Sequence, residues 1–112
     1  MSEQDEALPL RQMLDYAVEA IELTTGRSRA DFDEDRLLNL GITRLVEIIG
    51  EASNRVPADL QEQLPGIPWT QIRGTRNRLI HAYDFVDYDV VWQTVVEDLP
   101  PLVIALRRHL GE

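Results

Sequence analysis

Apolar residues recur along this chain at steps of three and four in four separate segments, and no segment shows a convincing step of two. That spacing lines them along one face of an α-helix and argues against half-buried strands. Leu10, Leu14, Ala17 and Ile21 form the first row, with Glu19 and Glu22 off that face. Leu38, Ile42, Leu45, Ile49 and Ala52 form the second. Ile72, Thr75, Leu79 and Ala82 form the third, and Val91, Val95, Leu99, Leu102 and Leu106 the fourth. The expected fold is all-α, an up-and-down bundle of four main helices with a short connector helix, in one domain spanning residues 1–112.

Local signals set the expected boundaries. Pro9 suits a first helical turn and Gly26 a stop. The polar stretch 27–33 reads as a linker, and the second helix should open at Asp33 or Asp35. Pro57, Pro65, Gly66 and Pro68 mark a connector that holds one short helix, 57–64. The third helix is expected from Trp69 or Thr70, with Thr70 able to cap it, and to run through Ala82. Gly74 interrupts it at a cost of about 1 kcal/mol relative to Ala, which a close helix–helix approach would justify. The fourth helix should start near Asp87 or Asp89. Pro100 and Pro101 must kink or split it, with Asp98 placed to cap the second part.

Composition removes several functions. With no cysteine there are no disulfides, thiolate nucleophiles or thiolate-bound zinc. No apolar run approaches the ~20 residues of a membrane span, and the acidic start lacks the basic segment of a secretory signal. A cytoplasmic location with no membrane partner is expected. Eleven cations, all arginine, face 20 acids, for a net charge of −9. Such a balance disfavours a general nucleic-acid binder, which needs clustered cations. The distribution is uneven, however. From Gln63 to Tyr83 there is no acidic residue, and Arg73, Arg76 and Arg78 all fall inside that window. A local field of that kind can hold a phosphate.

Two histidines are available. His109 stands in the basic end Arg107-Arg108-His109, where the helix dipole stabilises cations. His81 shares the acid-free window with the three arginines. Imidazole exchanges protons near neutrality, and guanidinium clamps phosphate and stabilises charge building on phosphorus. On a continuous helix Arg76 and Tyr83 would lie nearly one above the other. Arg76 and His81 would be about 140° apart around the axis. This set suits metal-independent RNA cleavage by an adjacent 2′-hydroxyl, a reaction that wants both a base and an acid. One chain supplies a single histidine to the patch, so the chemistry calls for a homodimer that brings two to one cleft.

The segment Arg76-Asn77-Arg78-Leu79-Ile80-His81-Ala82-Tyr83 resembles the Arg-x4-His-x-Tyr signature of the HepT-like branch of HEPN domains. Ile48-Ile49-Gly50-Glu51-Ala52, Pro65-Gly66-Ile67-Pro68-Trp69, Val90-Val91-Trp92 and Asp98-Leu99-Pro100 resemble further segments of that family, in order. Thr75 departs from the pattern, since a hydrophobic residue often precedes the motif arginine. The resemblance implies a dimeric helical bundle acting as the ribonuclease toxin of a toxin–antitoxin pair. It implies Arg76 and His81 as the catalytic pair. It also implies Tyr83 as the residue to which a minimal (MNT-type) nucleotidyltransferase antitoxin transfers AMP, silencing the toxin. Asn77 matches a common motif residue. Arg73 and Arg78 lie outside the signature and are expected to contact RNA on charge alone.

A competing reading is a non-catalytic helical module that docks a minimal nucleotidyltransferase, which the net charge of −9 suits. No cofactor, metal or DNA is expected. Glu47 and Glu51 are expected to pair across the bundle with Arg73, Arg76 or Arg78, because partly buried charges persist when paired. The alternative is that Glu51 orients His81 or Arg76.

Overall fold

The computed structural model describes residues 3–81 and 85–112, with side chains described for 7–75, 77, 79 and 86–112. In chain order these form α1 (Glu3–Thr24), α2 (Arg29–Glu34), α3 (Arg36–Ser53), α4 (Ala58–Glu62), α5 (Trp69–Leu79), β1 (Ile80–His81), β2 (Phe85–Val86), α6 (Tyr88–Gln93), a π-turn (Thr94–Asp98) and α7 (Leu99–Leu110). The class is all-α. Among the described residues the extended backbone is one antiparallel pair of two-residue strands, Ile80 opposite Val86 and His81 opposite Phe85.

Helix α1 begins before Pro9, which lies inside it and not in its first turn. Pro9 removes a single N–H close to the start of the helix, and the buried row that follows offsets the loss. Leu10, Met13, Leu14, Ala17 and Ala20 are all buried. The stretch expected as a plain linker contains α2. Ser28 caps it through a reciprocal box: its hydroxyl accepts from the Asp31 N–H, and its own N–H donates to the Asp31 carboxylate. Asp35 then caps α3 by accepting from the Leu38 N–H at 3.1 Å.

The connector from α3 to α5 is held from inside. Val56, Leu60, Leu64 and Ile67 are buried, and the Trp69 indole donates to the Leu64 carbonyl at 3.0 Å. Thr70 falls within the first turn of α5 and does not cap it. The expected split of the last helix takes the form of the π-turn. Pro100 and Pro101 have no N–H to give, and the Leu99 N–H reaches five residues back to the Thr94 carbonyl. Asp98 precedes α7 without a side-chain cap hydrogen bond. Helix α7 ends at Gly111, whose φ of 78° is the left-handed stop that glycine favours, with Arg107, Arg108 and His109 in the last turn.

Helix α1 packs on α3 and α7, and α3 also packs on α5. A single buried cluster runs from Leu10 to Leu106. The predicted rows of the second and fourth helices are buried throughout, as are Ile72, Thr75 and Leu79 of the third. Ala82 of the third row lies outside the described residues.

Candidate active site

Helix α5 sets the site. Ile72, Thr75 and Leu79 point inward, each 1% exposed, so α5 turns Arg73 and Asn77 to solvent. Thr75 is the departure from the family pattern. Its hydroxyl enters the core without cost in unmet hydrogen bonding, because it donates to the Gln71 carbonyl at 2.8 Å. Arg73 makes no ion pair among the described residues. Arg11, Arg27, Arg29 and Arg44 each pair with an acid. The Arg76 and Arg78 backbones belong to the same helix, with Arg76 one turn beyond Arg73.

The helix does not continue to His81. It stops at Leu79, and Ile80 and His81 form β1, so the helical angles expected between Arg76, His81 and Tyr83 do not apply. Two bonds define the exit. The Asp87 N–H donates to the Leu79 carbonyl, and the Asp87 carboxylate caps α6 by accepting from the Asp89 and Val90 N–H groups. His81 is thereby held opposite Phe85 at the mouth of a hairpin stem. Tyr83 lies outside the described residues, as do the side chains of Arg76, Arg78 and His81.

Helix α3 forms the wall behind this segment. Its backbone comes close to α5 at Gly50, where a Cβ would sit 3.1 Å from the Ile72 carbonyl oxygen. The close approach expected at Gly74 is therefore found at Gly50, and Gly74 has open space around it. Towards the other end of α3, buried Asn39 donates to the Phe32 carbonyl and accepts from Arg36 and the Tyr88 hydroxyl. Glu47 and Glu51 do not pair with Arg73. Both meet Arg44 on their own helix, at 3.8 and 3.7 Å. One to two turns of α3 separate each of them from Arg44, so the pairing needs no second element. Asn39 and Thr43, which continue the flank marked by Glu47, are missed by the sequence reading. Their signal was a four-residue polar spacing on the flank of an apolar helix face.

A match to the family described as ribonuclease HepT-like covers residues 13–109. The chain is 36% identical over 102 residues to "Putative RNase MJ1380" of Methanocaldococcus jannaschii, covering 91% of this chain and 94% of that protein. It is 42% identical over 96 residues to "Probable ribonuclease HepT" of Thermococcus cleftensis, covering 82% and 87% of the two chains. The chain belongs to the HepT-like ribonuclease family. No solved structure gives a significant match.

The segments that resemble the HepT-like pattern have identifiable structural roles. Gly50 of Ile-Gly-Glu-Ala lets α3 approach α5. Ile67 and Trp69 of the Pro-Gly-Ile-Pro-Trp connector are buried under the start of α5. Val91 and Trp92 of α6 meet the core, Trp92 through Phe32 at 5.5 Å between ring centres. Gly50 and the connector seat α5, which carries Arg76, and α6 follows the strand pair that holds the His81 backbone. Among the described residues no helix is long and apolar enough to cross a membrane.

Proposed function

We propose that this chain is a metal-independent endoribonuclease, the toxin of a HepT-like toxin–antitoxin pair, working as a homodimer. The HepT-like match over residues 13–109, which includes the whole segment from Arg76 to Tyr83, carries this reading. The 2′-hydroxyl of RNA attacks the adjacent phosphorus while His81 takes its proton. Arg76 stabilises the charge on the five-coordinate phosphorus. The bond to the 5′-oxygen breaks, and the partner subunit's His81 protonates that oxygen. The products are a 2′,3′-cyclic phosphate and a free 5′-hydroxyl. DNA lacks the nucleophile and is not a substrate. Exposed Arg73 and Asn77, with Arg78, contact the flanking phosphates.

An MNT-type nucleotidyltransferase antitoxin silences the protein by transferring AMP to the Tyr83 hydroxyl, displacing pyrophosphate from a nucleoside triphosphate. The new phosphodiester places negative charge and a nucleoside beside the arginines, which repels and displaces RNA. In the test, RNA is incubated with purified protein in EDTA and its ends are analysed. Cleavage to cyclic phosphate ends is expected, lost in Arg76→Ala and in His81→Ala with helical content unchanged. If both variants cut as fast as the parent, the assigned roles are wrong. Intact mass after co-expression with the antitoxin should rise by one or more AMP groups, and Tyr83→Phe should abolish the gain.

A further inference from the structure

Away from α5, helices α1 and α7 enclose a groove of about 320 Å³. Val18, Ile21 and Glu22 of α1 line it with Pro100, Val103, Ile104 and Arg107 of α7. Val103 is buried, and Val18 and Ile21 are partly buried, but Ile104 is 60% exposed. An exposed isoleucine beside apolar walls is a knob next to a hollow, a pairing that a lone chain has no use for.

Helix direction sorts the two charges of the groove. Arg11, near the start of α1, pairs with Glu112 just past the end of α7, so the two helices run antiparallel. Glu22 lies two residues before the end of α1 and therefore at the Pro100 end of the groove. Arg107 lies seven residues after Pro100, about 10 Å along α7, at the other end. Ile104 stands between them. Neither the Glu22 nor the Arg107 side chain makes an ion pair or hydrogen bond among the described residues, whereas Arg11, Arg27, Arg29 and Arg44 each meet an acid. An acid at one end, a base at the other and an apolar knob between them make a face complementary to its own half-turned copy. A polyanion such as RNA is repelled by Glu22 and does not fit the groove.

We propose that this face binds a second copy of the chain across a two-fold axis that crosses the groove near Ile104. Each Ile104 packs into the apolar wall of the facing groove, and each Glu22 meets the partner subunit's Arg107. This interface is separate from the catalytic cleft, because α5 packs on α3 and no α5 residue lines the groove. It stands whether or not the chain cuts RNA. A chain with both faces assembles beyond the dimer, as a dimer of dimers.

The test is self-association of the full chain by sedimentation velocity over a range of protein concentrations, with helical content followed by circular dichroism. Glu22→Arg and Arg107→Glu should each weaken association by about tenfold or more, because each turns two attractions into two repulsions. Their equimolar mixture should regain the parent's association. One chain then carries arginine at both ends of the groove and the other glutamate, so both contacts attract again. Damage to the fold of either variant does not produce that recovery. Ile104→Glu should weaken association at least as strongly as either charge variant. If the parent's mass matches that of Ile104→Glu at every concentration, or if the mixture associates no better than its two components, the face does not bind a second copy and the proposal is wrong.

Discussion

Two carboxylates at neighbouring helix starts tie this fold to pH. Asp31 is held below the usual carboxylate range mainly by the Ser28 N–H, then by the Ser28 hydroxyl. Asp35 is held low mainly by the Leu38 N–H, then by Arg27. A carboxylate depressed on folding stabilises the native state above its unfolded pKa. That contribution is lost as pH falls through the depressed native value. Stability should therefore decline below about pH 4. Asparagine also caps helices but does not ionise, so Asp35→Asn should keep the cap and make the acid decline shallower. Urea unfolding at pH 7 and at pH 3 reads the difference; an unchanged slope would refute the link. Glycines give a second contrast. Gly41 has open space around it, so Gly41→Ala should raise stability by up to about 1 kcal/mol from helix propensity. At Gly50 the added methyl meets the backbone of Ile72, and relief requires α5 to move. Gly50→Ala should come out at least about 1 kcal/mol less stable than Gly41→Ala in the same assay.

At the scale of elements, α2 is the piece that the sequence hid most completely. Its six residues bury a single side chain, Phe32, so no periodic row could appear. That ring is fully buried and meets Tyr88 edge-on at 5.4 Å and Trp92 at 5.5 Å, clamping α2 onto α6. Arg29 adds an ion pair to Asp89, and that pairing, with Asp33, raises the guanidinium pKa above its ordinary value. Phe32→Ala should cost about 3 kcal/mol and alter the Trp92 fluorescence, measured by denaturant titration. The rows of α1, α3 and α7 were legible because each buries four or more side chains at helical spacing. The end of α5 was not. Leu79 completes the buried row, and nothing in Ile80-His81 forbids a further turn. The helix stops because Asp87, eight residues later, donates to the Leu79 carbonyl and closes a hairpin. Long-range pairing of that kind leaves no local mark, so the helix expected to run through Ala82 ends at Leu79, and the angles expected around a continuous axis do not apply. Glu47 and Glu51 meet Arg44, three and seven residues before them, and not Arg73; the side chains of Arg76 and Arg78, the other partners expected for them, lie outside the described residues.

At the scale of the whole molecule, a net charge of −9 must be reconciled with a polyanionic substrate. Some of the surface acid is matched by arginine among the described residues, as in the pairs Arg11–Glu112, Arg27–Asp35 and Arg29–Asp33. The acid-free stretch 63–83 leaves exposed Arg73 on α5 with no such partner among the described residues. Attraction of RNA is then local and short-ranged, and cleavage should slow as salt screens it. A cleft pooled from two protomers makes a stronger prediction. The proposed reaction asks for one imidazole as base and another as acid, and each chain brings a single His81. When wild-type and His81→Ala chains are co-expressed in equal amounts, random pairing gives about one quarter wild-type homodimers and about one half mixed dimers. Mixed dimers hold one imidazole per cleft and should be inactive. Activity per total protein should therefore fall to about one quarter of wild type, against about one half if each chain works alone. Separating the dimers by a tag on one chain and assaying each fraction in EDTA distinguishes the two. Mixed dimers that cut at half the wild-type rate would show that a single protomer carries a complete site.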